Sequence, residues 1–367
     1  MPESIDAKKP TILVSKCLGF CKCRYNGDVL SSAFVEALKP HVNYITACPE
    51  VEIGLGVPRN PVRLVNRGGS VELYQPAEDK TYTQQMNRYS ESFFDSVGAL
   101  HGLILKGRSP SCGIKDVKIY SGVEKSSSSQ KGVGLFAAHA IARYPNLPIE
   151  EEGRLTNYAI REHFLTKLYT VFRFQQVKQS RSMKELVRFH SEHKFLLMAY
   201  HQTQLRLLGK IVANPEKTPV FRGIGFIRAA SSAWRFLRPP TRNNYINTFQ
   251  HIFGYFSECL SDKKAFLLDR FQKYREDKIH ISAILNMLRS YAIQHNHDYL
   301  LNQAIWTAYP EEAAGHQRLR QIAFGISMPR ACDRAAPAQC ANAGAPLPSR
   351  PRARAGVCAY ARAHAYA

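Results

Sequence analysis

Three times before residue 115, this chain runs a short apolar stretch straight into a loop that carries a cysteine. Thr11-Ile12-Leu13-Val14 leads into Ser15-Lys16-Cys17-Leu18-Gly19. Tyr44-Ile45-Thr46-Ala47 leads into Cys48-Pro49-Glu50. Gly102-Leu103-Ile104-Leu105 leads into Lys106-Gly107-Arg108-Ser109-Pro110-Ser111-Cys112-Gly113. Short apolar runs bounded by turn residues read as buried strands. In an open α/β sheet, ligand sites gather beyond the carboxyl ends of the strands. The pattern therefore predicts one sheet with all three loops meeting over a single edge.

Helix-like segments separate these strands. Residues 31–38 read as a helix with a serine N-cap, and residues 81–96 as a long helix. Residues 62–65 and 71–74 predict a hairpin across Asn66-Arg67-Gly68-Gly69-Ser70. The stretch 54–61 is a rigid turn-rich loop, residues 126–129 a mobile serine loop, and residues 134–143 a last short helix. Strands alternating with helices predict an α/β domain over residues 9–145 with a largely parallel sheet. Residues 146–160 read as a linker. From there to 327 the apolar positions recur three and four apart, which predicts an all-α helical domain. One long amphipathic helix is expected over 183–210, with further helices near 221–236, 241–260, 262–275 and 281–295. Residues 328–367, rich in Ala, Arg and Pro, bury little and are expected to be a disordered tail. Cys332, Cys340 and Cys358 lie there and receive no role.

Charge divides the chain unevenly. The formal net charge is +21. Residues 171–300 hold 21 Lys/Arg against 9 Asp/Glu, a surplus of +12, and the tail adds +5. Such a field favours a polyanion, or is simply a solvated basic face. No apolar run is long enough to span a bilayer and the polar N-terminus resembles no signal peptide, so a cytoplasmic protein is expected. In that compartment grouped thiols stand for metal binding or catalysis before disulfides.

Cys17, Cys48 and Cys112 would suit a soft metal, whether zinc or an iron–sulfur cluster. A cluster held by only three cysteines leaves one iron open for substrate. Cys17, Cys21 and Cys23 form a rival set within one loop. Inert buried cysteines are the plainer alternative. Glu50, two residues from Cys48, is the candidate acid/base, against the commoner case of a surface glutamate. Ser109 and Ser111 either hydrogen-bond a bound base or cap the following helix. His190, His193 and His201 fall on one side of the long helix; RNA contact or interhelix packing suits them better than metal.

Ser15-Lys16-Cys17-Leu18-Gly19, Arg24-Tyr25-Asn26-Gly27, Cys48-Pro49-Glu50 and Ser109-Pro110-Ser111-Cys112-Gly113 resemble the thiouracil desulfurase (TudS-like) family, in family order. The resemblance implies a 4Fe–4S cluster held by Cys17, Cys48 and Cys112, with Glu50 and Ser109 catalytic. Residues 186–194, 208–213 and 251–256 are similar to the YbgA-like helical domain. The fused arrangement resembles tRNA 4-thiouridine desulfidases. It implies conversion of 4-thiouridine in tRNA to uridine with release of sulfide, with tRNA as partner, a thiolated pyrimidine as substrate, and neither DNA nor membrane expected. A desulfurase of free thiouracil or thiouridine, and a non-catalytic metal-stabilised RNA-binding protein, are the alternatives. Cys21 and Cys23 depart from the family pattern, and their replacement is expected to leave the cluster intact. Tyr299-Leu300-Leu301-Asn302-Gln303 and Tyr309-Pro310 survive from the family's closing segment, whereas the leucine-rich close does not.

Overall fold

The structure is a computed structural model that describes residues 6, 8–124, 129–213, 239–256, 259 and 261–314. The central strand β1, Thr11–Ser15, is buried along its whole length, as expected of a strand covered on both faces. It pairs in parallel with β2, Asn43–Ala47, on one side. On the other side lies the strand Gly102–Leu105. Between these in sequence stand α1 (Ala33–Leu38), α2 (Pro49–Glu52), the hairpin β3 (Arg63–Arg67) and β4 (Ser70–Gln75), β5 (Lys80–Thr81), and α3 (Thr83–Ser96). Gly102–Leu105 is therefore β6, followed by β7 (Val117–Tyr120), β8 (Ser129–Gly132), α4 (Leu135–Arg143) and β9 (Ile149–Glu151).

The four-stranded sheet has the order β2-β1-β6-β9 and is parallel throughout. A second sheet, β5-β4-β3-β7-β8, is antiparallel except where β3 meets β7. The expected hairpin forms, its turn made by Gly68 and Gly69 at φ 57° and 87°, values that glycine adopts without strain. Four short strands, β5, β7, β8 and β9, escaped the sequence reading. β5 is only two residues long, and β7, β8 and β9 each carry one or two of Lys, Gln or Glu and lack an apolar run. The residues read as a linker, 146–160, include β9 and so complete the parallel sheet.

Alternation along the strands feeds two cores. Leu13, Leu103 and Leu105 face α3, α4 and the second sheet, where Phe94 stacks on Phe136 at 4.8 Å. Ile12, Val14 and Ile104 face α1 and the first half of α5, Tyr158–Ser180, through Phe164, Leu165 and Leu168. Asn157 caps α5 by accepting from the amide of Ile160.

The helical region continues with α6 (Met183–Glu192), α7 (Lys194–Ala213), α8 (Arg242–Gly254), α9 (Lys264–Arg275), α10 (Ile281–Gln294) and α11 (Asp298–Leu301), packed around their own core. The single helix expected over 183–210 is broken at His193, where ψ is 5°. Buried Gln303 takes up the groups freed there, donating to Ser191 O at 2.8 Å and accepting from the Phe195 amide. His193 stacks on Phe189 at 4.0 Å, and His201 sits at a non-helical φ of −163°. The three histidines therefore do not share one helical face, and His193 is interior packing. The helix expected at 221–236, the serine loop at 125–128 and the tail at 328–367 lie outside the described residues. No described helix is long and apolar enough to cross a membrane.

Candidate active site

Because β1, β2 and β6 run parallel and in register, the loops after them emerge at one edge of the sheet. They enclose a cavity of about 320 Å³ lined by Cys17, Cys48, Cys112, Glu50 and Ser109, together with Cys23, Arg24, Tyr25, Arg59, Lys16, Lys106 and Arg108. The expected site residues are thus brought together. Cys21 is exposed and is not part of the lining, so the rival set within one loop does not line the cavity as a whole. Cys23 does join the cavity: it is 3% exposed, and its backbone carbonyl accepts from the Cys48 thiol at 3.6 Å.

Burial, then the neighbouring Cys48, pushes the Cys17 thiol up to about 11. Burial raises Cys112 well above its ordinary value, against a hydrogen bond from Ser15. Burial and Cys48 raise Cys23. Thiols of this kind stay protonated until a cation displaces the proton. Among the described residues, no three His, Cys, Asp or Glu side chains close on one point as a single metal ion requires. Soft thiols around one cavity are the donor type that iron–sulfur clusters and zinc both take.

Glu50 lies on α2, directly after Cys48, and both of its carboxylate oxygens are engaged. Oε2 accepts from Arg59 Nη2 at 2.6 Å and Nε at 3.1 Å. Oε1 accepts from Ser111 Oγ at 2.9 Å and Ser109 Oγ at 3.4 Å. The element after this loop is β7, not a helix, so neither serine caps one; Ser109 instead braces its own turn. Ser109 Oγ accepts from the amides of Ser111 and Cys112 at 3.2 and 3.1 Å while facing the cavity. Ser111 is fully buried behind it.

The Cys112 loop is held from two sides. The start of α4 donates to it: Gly134 N to Gly113 O, Leu135 N to Pro110 O, and Ala137 N to Ser111 O. At the end of β9, buried Glu151 accepts from the amides of Ile114 and Lys115 at 2.8 and 3.3 Å. Its neighbour Glu152 accepts from Gly107 N at 2.7 Å and from Lys106 Nζ at 2.5 Å. Sequence reasoning missed Arg59, Glu151, Glu152 and the placement of Cys23. The turn-rich character of residues 54–61 marked Arg59's loop, but nothing local pointed its side chain at Glu50.

Known families match both halves of the chain. A family profile described as 2-thiouracil desulfurase matches residues 12–152. A second, described as a protein of unknown function (DUF1722), matches residues 194–310. A solved structure described as 4Fe-4S-dependent thiouracil desulfidase TudS shares 27% identity, covering 40% of this chain and 94% of its own at a TM-score of 0.32. A Bacillus subtilis (strain 168) protein described as uncharacterized protein YbbK is 32% identical over 111 residues, 28% of this chain and 72% of the relative. With that relative covered to nearly three quarters and the profile running from β1 to the carboxylates at the end of β9, the chain belongs to the 2-thiouracil desulfurase family.

Proposed function

We propose that this chain is a cytoplasmic desulfidase that replaces the sulfur at C4 of 4-thiouridine in tRNA by oxygen from water, releasing sulfide. The observation that carries the reading is the meeting of Cys17, Cys48 and Cys112 with Glu50 and Ser109 around one cavity at the sheet edge. A volume of about 320 Å³ suits a ligand of pyrimidine size, at the small end of ligand pockets. Cys17, Cys48 and Cys112 would hold the 4Fe–4S cluster. Bound there, it would supply a Lewis-acid iron with affinity for the thiocarbonyl sulfur.

The protein's own groups do the remaining work. Ser109 orients the base. Glu50 takes a proton from the water that adds to C4 and returns it as the carbon–sulfur bond breaks. Thiocarbonyl and water become carbonyl and hydrogen sulfide, with no net change in electrons. Lys16, Arg24 and Arg108 at the cavity and the +12 surplus over residues 171–300 support RNA as the carrier of the base. Affinity would then fall with salt, and the base would need to leave its stack. The family's description favours a second reading, free thiouracil as substrate. The deciding experiment gives the cluster-reconstituted protein thiolated tRNA and 2-thiouracil in parallel. Nucleoside analysis is expected to show 4-thiouridine replaced by uridine. Unchanged 4-thiouridine with an intact cluster refutes the tRNA reading, and turnover of 2-thiouracil alone selects the second.

A further inference from the structure

Arg59 is the most thoroughly engaged cation at the cavity. Its side chain is 5% exposed and that of Glu50 is 13% exposed. Two guanidinium nitrogens bind Glu50 Oε2, at 2.6 and 3.1 Å. The third, Nη1, donates to Cys23 O and to Gly56 O, each at 3.0 Å. The Arg59 amide also donates to Tyr25 O at 2.8 Å. One planar group thus joins the loop after β1, the acid on α2 and the turn at Gly56, whose φ is 69°.

We infer that Arg59 is the positioning residue for Glu50. The inference rests on the reading of Glu50 as the proton-moving group. Both guanidinium donors go to a single carboxylate oxygen. That oxygen is thereby taken out of use, and the carboxylate plane is set by the fork. Oε1 is left to the serine hydroxyls, buried Ser111 at 2.9 Å and, at 3.4 Å, Ser109 on the cavity wall, where a proton can be exchanged. A carboxylate this enclosed also needs compensating charge, and no other described cation pairs with it. Lysine carries the charge without the fork, so it restores compensation but not orientation. A purely structural Arg59 would instead show itself as lost stability, or as weakened substrate binding through the Tyr25 and Cys23 backbone.

The test is a double-substitution cycle on the full, cluster-loaded chain, using whichever thiolated substrate it turns over. Arg59→Gln is expected to lower kcat on the order of 100-fold, the cost of about 1 Å of misplacement, with KM changed less than about 3-fold on the same geometric argument. Arg59→Lys recovers part of the rate. In a Glu50→Gln background, Arg59→Gln then has almost no further effect. A second readout needs neither substrate nor cluster. In the metal-free chain carrying 13C-labelled glutamate, the Glu50 carboxyl signal is assigned by its loss in Glu50→Gln and is expected to shift in both Arg59→Gln and Arg59→Lys. An unmoved signal overturns the proposal. So does full additivity in the cycle when Glu50→Gln is itself inactive. Full activity of Glu50→Gln overturns the reading of Glu50 and this proposal with it.

Discussion

The Cys112 loop is so closely backed by α4 that a single methyl group should displace it. Gly134 has an ordinary φ of −67°, so nothing in its backbone demands glycine. Space does. A Cβ there would lie 2.5 Å from Ser111 O, 2.6 Å from Ser111 C and 3.0 Å from Cys112 N. All three are backbone atoms, and ordinary contact begins at 3.4 Å. Either the loop or the start of α4 must therefore move by roughly an ångström, against the hydrogen bonds that join them. Overpacking of this kind costs about 1–3 kcal/mol. Alanine's lower unfolded-state entropy returns about 0.4–1 kcal/mol. The net loss should lower Tm by several degrees, at about 2–4 °C per kcal/mol for domains of this size. Since Cys112 moves with the loop, iron retention and turnover should fall as well, the latter by on the order of 100-fold for 1 Å. Gly98→Ala is the control, because a Cβ at Gly98 meets nothing within 4 Å. Calorimetry, iron content and sulfide release would be measured on both variants. A Gly134→Ala protein that matches Gly98→Ala in all three shows that the loop is not held in place by α4, and the reasoning fails.

Three further expectations follow from the same geometry. Cys17→Ala, Cys48→Ala and Cys112→Ala should each lose cluster iron on anaerobic reconstitution while Cys23→Ser keeps it; iron loss in Cys23→Ser equal to that in Cys48→Ala would make Cys23 a ligand. Glu151→Gln keeps an acceptor but loses the charge on two amide contacts, so it should cost about 1–2 kcal/mol and loosen the Cys112 loop, read as faster hydrogen exchange at Ile114 and Lys115. His163 and His193 are both lowered to about 4 from 6.5, chiefly by burial. A base depressed in the fold leaves stability intact above pH 6.5 and removes it as pH falls toward 4. Each should therefore cost about 2 kcal/mol by pH 5, so the urea midpoint should drop between pH 7 and pH 5, and drop less in His193→Gln.

What could be read in advance was whatever the chain encodes locally. β1 and β6 are uninterrupted apolar runs because both their faces are covered, and Ser32 marks the start of α1 because its hydroxyl accepts the Val35 amide. The three cysteines were legible as a group because parallel neighbours in one sheet must release their loops at the same edge. What stayed hidden depends on contacts distant in sequence. β9 is only three residues long and two of them are glutamates; its partner β6 makes it a strand. The break at His193 has no glycine or proline to announce it, since the groups it frees are satisfied by Gln303, over a hundred residues away. Arg59 reads as one more basic residue until the fold carries it to Glu50.

The relation between the two halves also changes once α5 is considered as one element. A linker would leave the helical region free to swing relative to the sheet. Instead a 23-residue helix, about 35 Å of continuous rod, seals the Ile12–Val14–Ile104 face with Phe164, Leu165 and Leu168. Farther along, Phe174 and Val177 enter the helical core. Tyr169 and Gln175 add bonds to the carbonyls of His41 and Leu100, on the sheet side. The helix that completes the core under the cysteine loops therefore also anchors the basic half. A polyanion held by that half would be presented to the cavity at a set distance, and the choice between a free base and one carried on RNA would then rest on this shared helix as much as on the cavity walls.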